Sequence, residues 1–138
     1  MRVDEVMTHH VVVIPADATL VEAAEVMKNA DVGFLPVVSA GVLFGVLTDR
    51  DIVVRAIGRG MNPNLTLVRT VMSNKPIWCY EYDVLTDAAD ILADNHVHRL
   101  IVIDSNNKVS GLLSIDDLAA HMSSDRLLGT VLRQVSVT

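Results

Sequence analysis

Two short motifs each place a hydroxyl and a carboxylate three residues apart, after an apolar stretch that begins with glycine. The first pair is Thr48 and Asp51, and the second is Ser114 and Asp117. A hydroxyl and a carboxylate at this spacing are typical of a capping box, which satisfies free amides at the start of a helix. The same carboxylate can accept hydrogen bonds from the two neighbouring hydroxyls of a ribose, and the helix amides favour a phosphate. The motifs therefore predict two structural caps, two sites for a sugar phosphate, or both.

The elements that would position these motifs occur twice in the same order. Apolar strands are predicted over 11–14, 34–38 and 42–47, and again over 77–79, 100–103 and 109–114. Apolar residues at helical spacing follow the first strand of each set, namely Leu20, Ala23, Ala24 and Met27, then Leu85, Ala88, Ala89 and Leu92. Each half alone would leave an apolar sheet face uncovered. We therefore expect an α/β (α+β) fold in which tandem β-α-β-β-α repeats pack about a pseudo-twofold axis.

Turn-forming residues suggest where the segments begin and end. We expect a first repeat with a helical lead-in over residues 1–60, a linker over 61–70, a second repeat over 71–123 and an amphipathic tail over 124–138. Pro15 is expected to end the first strand, and Gly58 to end the helix that follows Thr48.

The composition excludes several classes of protein. The chain has 138 residues, 51% of them hydrophobic, which suffices for one core or for two small units. A net charge of −6 and few aromatic residues argue against nucleic-acid binding. No apolar run approaches the ~20 residues of a membrane span, and the first residues lack a signal-peptide core. A single cysteine, Cys79, excludes an internal disulfide framework, so we expect a cytoplasmic protein.

The repeat resembles a known family. The tandem Met-Thr and Met-Ser lead-ins, with their Gly-x-x-Thr/Ser-x-x-Asp endings, are similar to a pair of cystathionine-β-synthase-type (CBS) domains, a Bateman module, over about residues 3–122. The ending of the first repeat is similar to small free-standing prokaryotic CBS-pair proteins. Segments 75–79 and 97–100 are similar to the nucleotide-sensing gamma subunit of AMP-activated kinase. The resemblance implies a regulatory sensor that binds AMP, ADP or ATP, or else S-adenosylmethionine or NAD(H). It also implies a homodimer without catalytic activity that acts on a separate partner protein.

The resemblance also implies two unequal ligand sites. The favoured site would consist of Thr48, Arg50, Asp51, Ile77, Trp78, His96, His98 and Arg99, with the strand at Ile77 flanking the adenine. The weaker site would consist of Val12, Ser114 and Asp117, facing Asp31, Gly33 and Phe34, with Asp116 in place of Arg50. A phosphate carrying a charge of about −2 should distinguish a cationic site from an acidic one. We expect an adenine nucleotide at the first site, and no ligand, a nucleoside or S-adenosylmethionine at the second.

The same residues also have simpler, structural interpretations. Both motifs could act only as helix caps in an interaction module whose ligand sites are vestigial. Asp49 and Asp51 could suggest paired catalytic carboxylates, but two residues apart on a helix they point to different faces, so no catalytic residue is expected. His96 and His98 lack a third ligand nearby in the sequence, so no metal site is expected either. Arg55 is expected on a solvated face or at the rim of a dimer.

Overall fold

The computed structural model describes residues 1–121 and 132–133, and it divides the chain into two compact units. The first unit is Val12–Pro76, and the second combines Met1–Val11 with the part of the chain from Ile77 onward. Each unit contains one three-stranded sheet with helices, which confirms the expected mixed α/β fold class. Apart from residues 132–133, the amphipathic tail expected over 124–138 lies outside the described residues.

The first unit follows the expected order of elements. It contains β1 (Ile14–Pro15), α1 (Leu20–Ala30), β2 (Phe34–Ser39), β3 (Val42–Thr48), α2 (Asp49–Asp51) and α3 (Val68–Val71). Strand β2 is central, because it pairs in parallel with β1 and antiparallel with β3. Helix α2 continues as a π-helical segment, Ile52–Ala56, and a 3₁₀ turn, Ile57–Arg59. The helical path ends at Gly60 rather than at Gly58, because Gly60 has the left-handed φ of 74° that a glycine adopts without strain.

The second unit repeats this plan. It contains a 3₁₀ turn (Val3–Glu5), β4 (Trp78–Tyr80), α4 (Leu85–Asn95), β5 (Arg99–Ile103), β6 (Val109–Ser114) and α5 (Ile115–His121). Strand β5 is central, parallel to β4 and antiparallel to β6. The first strand of each unit begins later than the apolar pattern indicated, at Ile14 and at Trp78. Strand β1 also includes Pro15, which an edge strand tolerates because one of its sides makes no ladder hydrogen bonds.

Each unit has its own hydrophobic core, built from the sheet, the apolar face of its longest helix and residues of its shorter helical segments. On α4 the predicted apolar face is completely buried, including Ala89. On α1, Leu20, Ala23 and Met27 are buried, but Ala24 is exposed and lines a surface groove. The helical periodicity therefore identifies the core face of α4 fully and that of α1 except at one position.

The N-terminal lead-in packs in the second unit, although it precedes the first repeat in the sequence. Thr8 forms an antiparallel bridge with Leu112 of β6, with N–H to O distances of 2.9 and 3.0 Å. A Cβ added at Gly111 would clash with the Met7 sulfur and would lie 2.8 Å from the carbonyl oxygen of Thr8. The glycine of the second motif thus makes room for the methionine of the N-terminal lead-in.

The lead-in of the second repeat makes the same contact in the first unit. Ser73 bridges Val46 of β3 through two hydrogen bonds of 2.9 Å. A Cβ at Gly45 would lie 2.5 Å from the Ser73 carbonyl oxygen and 2.8 Å from the Met72 sulfur. The repeated Met-Thr or Met-Ser pair and the repeated glycine are therefore two halves of one packing contact.

Residues 61–70, expected as a linker, pack on the first unit. Val68 is fully buried, and its N–H donates to the Ala18 carbonyl at 2.8 Å. The Arg69 guanidinium donates to the Asp17 carboxylate and lies 5.8 Å from the centre of the Phe44 ring. The segment is thus held by backbone hydrogen bonds, an ion pair and a cation–π contact.

Candidate functional site

The first motif forms a complete capping box at the junction of β3 and α2. The Thr48 N–H donates to Asp51 Oδ2 at 2.9 Å, and the Asp51 N–H donates to Thr48 Oγ1 at 3.1 Å. Both side chains are half-buried. The cap predicted from the hydroxyl–carboxylate spacing is therefore present, and it engages only one of the two carboxylate oxygens.

The second oxygen of Asp51 faces Arg55. Asp51 Oδ1 lies 3.7 Å from Arg55 Nε, one helical turn away, and Arg55 Nη1 donates to the Val71 carbonyl at 3.3 Å. The Asp51 side chain is 16% exposed and that of Arg55 is 49% exposed. Arg55 was expected only on a solvated face or a dimer rim, but its guanidinium links the motif to the end of α3. The i, i+4 spacing of Asp51 and Arg55 was the sequence signal for this pair.

The second motif has the same cap but a different neighbour. The Ser114 N–H donates to Asp117 Oδ2 at 2.9 Å, and the Asp117 N–H donates to Ser114 Oγ at 3.1 Å. His121 occupies the position that corresponds to Arg55, and its Nδ1 lies 3.0 Å from the main-chain oxygen of Asp117. A guanidinium thus faces the carboxylate of the first motif, whereas in the second motif the imidazole contacts the backbone.

The other charged residues of the first motif, Asp49 and Arg50, have different surroundings from Asp51. Asp49 Oδ1 accepts a hydrogen bond of 2.8 Å from the N–H of Arg50, whose side chain is exposed. The Asp49 N–H donates to the Gly33 carbonyl at 2.9 Å, and a Cβ at Gly33 would lie 2.6 Å from Asp49 Oδ2. Because Gly33 has no side chain, the Asp49 carboxylate can lie against its backbone. Both residues line a surface pocket of about 470 Å³.

The register of β5 and β6 places a cation beside the second motif. Arg99 is the cross-strand partner of Ser114, whereas Phe34 is the partner of Thr48 in the first unit. Partners in an antiparallel ladder project from the same face with Cβ atoms about 5 Å apart. The Ile115 N–H donates to the His98 carbonyl at 3.0 Å. His98 and Arg99 are thus neighbours of Ser114 within one unit. The comparison of the two repeats in the sequence did not predict this proximity.

The residues expected to flank the adenine lie on and beside β4. Ile77 is half-buried and its carbonyl accepts a hydrogen bond from the Ile101 N–H at 3.2 Å, while Trp78 is exposed. The intervening Cys79 is buried, and burial together with the charge of Asp83 raises the pKa of its thiol to about 12. Cys79 is therefore an inert core residue, and the strand presents Trp78 on its other side.

The expected ligand residues divide between the two units. The first unit holds Val12, Thr48, Arg50 and Asp51, and the second holds Ile77, Trp78, His96, His98, Arg99, Ser114 and Asp117. His96 ends α4 with a left-handed φ of 54°, as Asp31 ends α1 with 55°. In the described ranges 1–121 and 132–133, no group of three His, Cys, Asp or Glu side chains could hold a metal ion.

Comparison with known proteins identifies the family. Residues 3–58 and 68–124 each match the model of the CBS domain, so the chain belongs to the CBS domain family. The CBS domain-containing protein YhcV of Bacillus subtilis is 37% identical over 134 residues, which are 97% of this chain and 94% of YhcV. The resemblance inferred from the two motifs and their lead-ins is confirmed. Among the described residues, no helix is long and apolar enough to cross a membrane.

Solved structures share the fold. The CBS domain protein TA0289 of Thermoplasma acidophilum, of unknown function, superposes with a TM-score of 0.80 at 24% identity, over 100% of this chain and 78% of TA0289. CBSX2, crystallised in complex with AMP, has a TM-score of 0.72 at 24% identity, over 86% of this chain and 93% of its own. At this identity the two structures establish a common architecture.

Proposed function

We propose that this chain is a regulatory module that binds an adenine nucleotide at the Thr48–Asp51 motif and acts on a separate partner protein. The observation that carries the proposal is the half-used Asp51 carboxylate. Its Oδ2 holds the cap, while Oδ1 lies 3.7 Å from Nε of the half-exposed Arg55. A carboxylate offers about four acceptor positions, so both ribose hydroxyls can be bound without breaking the cap. The AMP complex of CBSX2 supports the ligand class.

Each part of the nucleotide has a proposed set of contacts. Asp51 accepts the ribose hydroxyls, and the Thr48 hydroxyl and the exposed Arg50 favour the phosphate. Contacts of the adenine with Ile77 and Trp78, and of the phosphate with His96, His98 and Arg99, stay predictions from the family resemblance. None of these roles requires a bond to be made or broken, so the proposed activity is binding alone.

Titration calorimetry with AMP on the wild type, Asp51→Ala and Asp117→Ala tests this assignment. Two lost charge-assisted hydrogen bonds of about 1.5 kcal/mol each would weaken AMP binding roughly 150-fold in Asp51→Ala. Asp117→Ala is the matched control, because it removes the same cap contact of 2.9 Å in the other unit. If only Asp117→Ala loses AMP binding, the nucleotide belongs at the Ser114 motif, next to Arg99.

The alternative is an interaction module with vestigial ligand sites, in which both motifs serve only as helix caps. A thermal-shift panel of AMP, ADP, ATP, S-adenosylmethionine and NADH separates the two functions. A ligand at 100 times its Kd stabilises the folded state by about 2.7 kcal/mol, which raises Tm by several degrees. No shift with any of the five compounds would support the interaction module, and turnover of ATP would identify an enzyme.

We also propose that the module is a homodimer joined through the first unit. Val53, Val54 and Ile57 are exposed on the helical segment that follows Asp51. Ile57 also lines an apolar groove of about 360 Å³ together with residues of α1, including the exposed Ala24. Sedimentation of Ile57→Glu should give a monomer where the wild type gives a dimer. A wild-type monomer at high protein concentration would refute the proposal.

A further inference from the structure

At the end of the edge strand β4, the exposed ring of Tyr82 stacks on the half-buried Tyr80. The rings of Tyr80 and Tyr82 lie 4.9 Å apart with an interplanar angle of 10°, and Trp78 meets Tyr80 edge-on at 5.0 Å. The Tyr82 residue is 48% exposed. Because aromatic residues make up only 4% of the chain, three neighbouring rings on one short segment are a marked concentration. None of the ligand roles proposed above uses either tyrosine.

Three acidic residues belong to the same part of the fold as this stack. Glu81 and Asp83 flank Tyr82, and Asp83 Oδ2 accepts the Tyr80 N–H at 2.9 Å. The Asp4 N–H donates to the Glu81 carbonyl at 2.9 Å, which brings a third acidic residue to the same loop. We call Tyr80, Tyr82, Glu81, Asp83 and Asp4 the acidic tyrosine surface.

The electrostatic field of this surface acts on the Tyr82 hydroxyl. Desolvation, and then electrostatic interaction with Tyr80, Asp83 and Glu81, raise the pKa of Tyr82. Arg2 offsets part of the acidic charge through its ion pair with Asp4 at 2.8 Å. The surface therefore combines an exposed π-face with a negative potential, and both attract a cation.

A guanidinium fits this combination better than an ammonium or an anion. It is planar and can stack on a tyrosine ring, while its outward N–H groups donate to neighbouring carboxylates. A lysine ammonium is a compact and strongly hydrated charge that cannot stack. Phosphate polymers are repelled by the carboxylates and by the net charge of −6.

We propose that the acidic tyrosine surface binds an arginine-bearing segment of a partner protein. The guanidinium stacks on the outer face of Tyr82 and donates to Glu81, and a neighbouring basic residue of the segment approaches Asp4. The role is independent of the Thr48–Asp51 motif, so it can be tested on nucleotide-free protein. It supplies a docking point for the regulated partner within the second unit.

The single tryptophan provides a direct probe, because Trp78 touches Tyr80 and the chain has no other tryptophan. Its fluorescence is titrated with three short peptides that differ only in carrying arginine, lysine or glutamate in a glycine–serine background. The arginine peptide should bind about three- to tenfold more tightly than the lysine peptide, and the glutamate peptide should not bind.

Four variants separate ring stacking from general charge attraction. Tyr82→Ala should weaken binding of the arginine peptide about three- to tenfold, whereas Tyr82→Phe should retain it because the π-face remains. Glu81→Gln removes one carboxylate without disturbing Asp83, which holds the Tyr80 amide, and should weaken binding about two- to fivefold. Phe44→Ala removes an exposed ring from the first unit and should leave binding unchanged.

Several results would overturn the proposal. Equal affinity for the arginine and lysine peptides would show that only net charge is recognised. Equal binding by wild type and Tyr82→Ala would place the peptide elsewhere, and loss of binding in Tyr82→Phe would show that the hydroxyl is recognised instead of the ring. If the wild type does not respond to the arginine peptide, the stack serves only to stabilise its own loop.

Discussion

The ion pair between Asp51 and Arg55 predicts a salt-dependent loss of stability when Arg55 is replaced by methionine. Arg55 Nε and Asp51 Oδ1 are 3.7 Å apart, and the Arg55 side chain is half exposed. Two unit charges at this distance interact by about 1 kcal/mol in water and about 4 kcal/mol at an effective dielectric constant near 20. Exposure of the guanidinium reduces the net contribution to about 0.2–1 kcal/mol.

The hydrogen bond from Arg55 to the Val71 carbonyl adds to this value. A bond of 3.3 Å in a partly buried setting contributes about 0.5–1.5 kcal/mol. We therefore expect Arg55→Met to lower the free energy of unfolding by about 1–2 kcal/mol, and Tm by about 3–8 °C. Urea unfolding at low salt and at ~1 M salt, where the Debye length is about 3 Å, separates the two contributions.

The second unit provides the matched control. His121 contacts the main-chain oxygen of Asp117 and not its carboxylate, so the stability change in His121→Gln should depend on salt less than that in Arg55→Met. Part of the loss in Arg55→Met should disappear at high salt, because only the ion pair is screened. An identical loss at both salt concentrations, or no loss at all, would show that Arg55 does not pair with Asp51 in solution.

Further predictions concern three single residues, Gly45, Cys79 and Arg99. Gly45→Ala should lower the free energy of unfolding in urea by about 1–3 kcal/mol, because the added Cβ would lie 2.5 Å from the Ser73 carbonyl oxygen; an unchanged midpoint would contradict this packing. Cys79 should resist iodoacetamide at pH ~8 until the protein unfolds, because its folded-state pKa is about 12. The stabilisation linked to this thiol is complete below the ordinary pKa of 9.0 and is lost as pH rises from 9.0 towards 12, which pH-dependent unfolding would measure. Arg99→Ala tests the phosphate contact that the family resemblance implies: AMP binding in calorimetry should weaken at least tenfold, and an unchanged Kd would exclude Arg99 from the phosphate site.

Periodic and local patterns identified most of the fold. The spacing of apolar residues located α1 and α4, and a capping box of Thr19 and Glu22 begins α1. Local signals were weaker where structure depends on a partner strand. Strand β1 begins at Ile14 rather than at residue 11, because only two of its residues pair with β2. Ala24 fits the apolar periodicity but is exposed, because periodicity does not show which neighbouring element covers a helix face.

The sequence predicted which residue types form the candidate site, but not which residues lie next to them in the fold. Hydroxyl–carboxylate spacing correctly indicated both caps, since a capping box involves residues only three positions apart. The placement of Arg99 opposite Ser114 depends on the register of β5 and β6, which is set by the turn and the bulge between them. That register brings the cation of Arg99 next to Ser114, in the motif that the comparison of the two repeats had described as acidic.

The sequence by itself determined the family, the repeat order and the two hydroxyl–carboxylate motifs, because each depends on residue types at short, regular spacings. Only the tertiary structure decided that Met7 and Thr8 pack against β6 while Met72 and Ser73 pack against β3. Both lead-ins have the same local pattern, so nothing in that pattern selects one sheet edge over the other. The choice depends on hydrogen bonds and methionine packing between segments that are distant in sequence, and such contacts exist only once both sheets have formed.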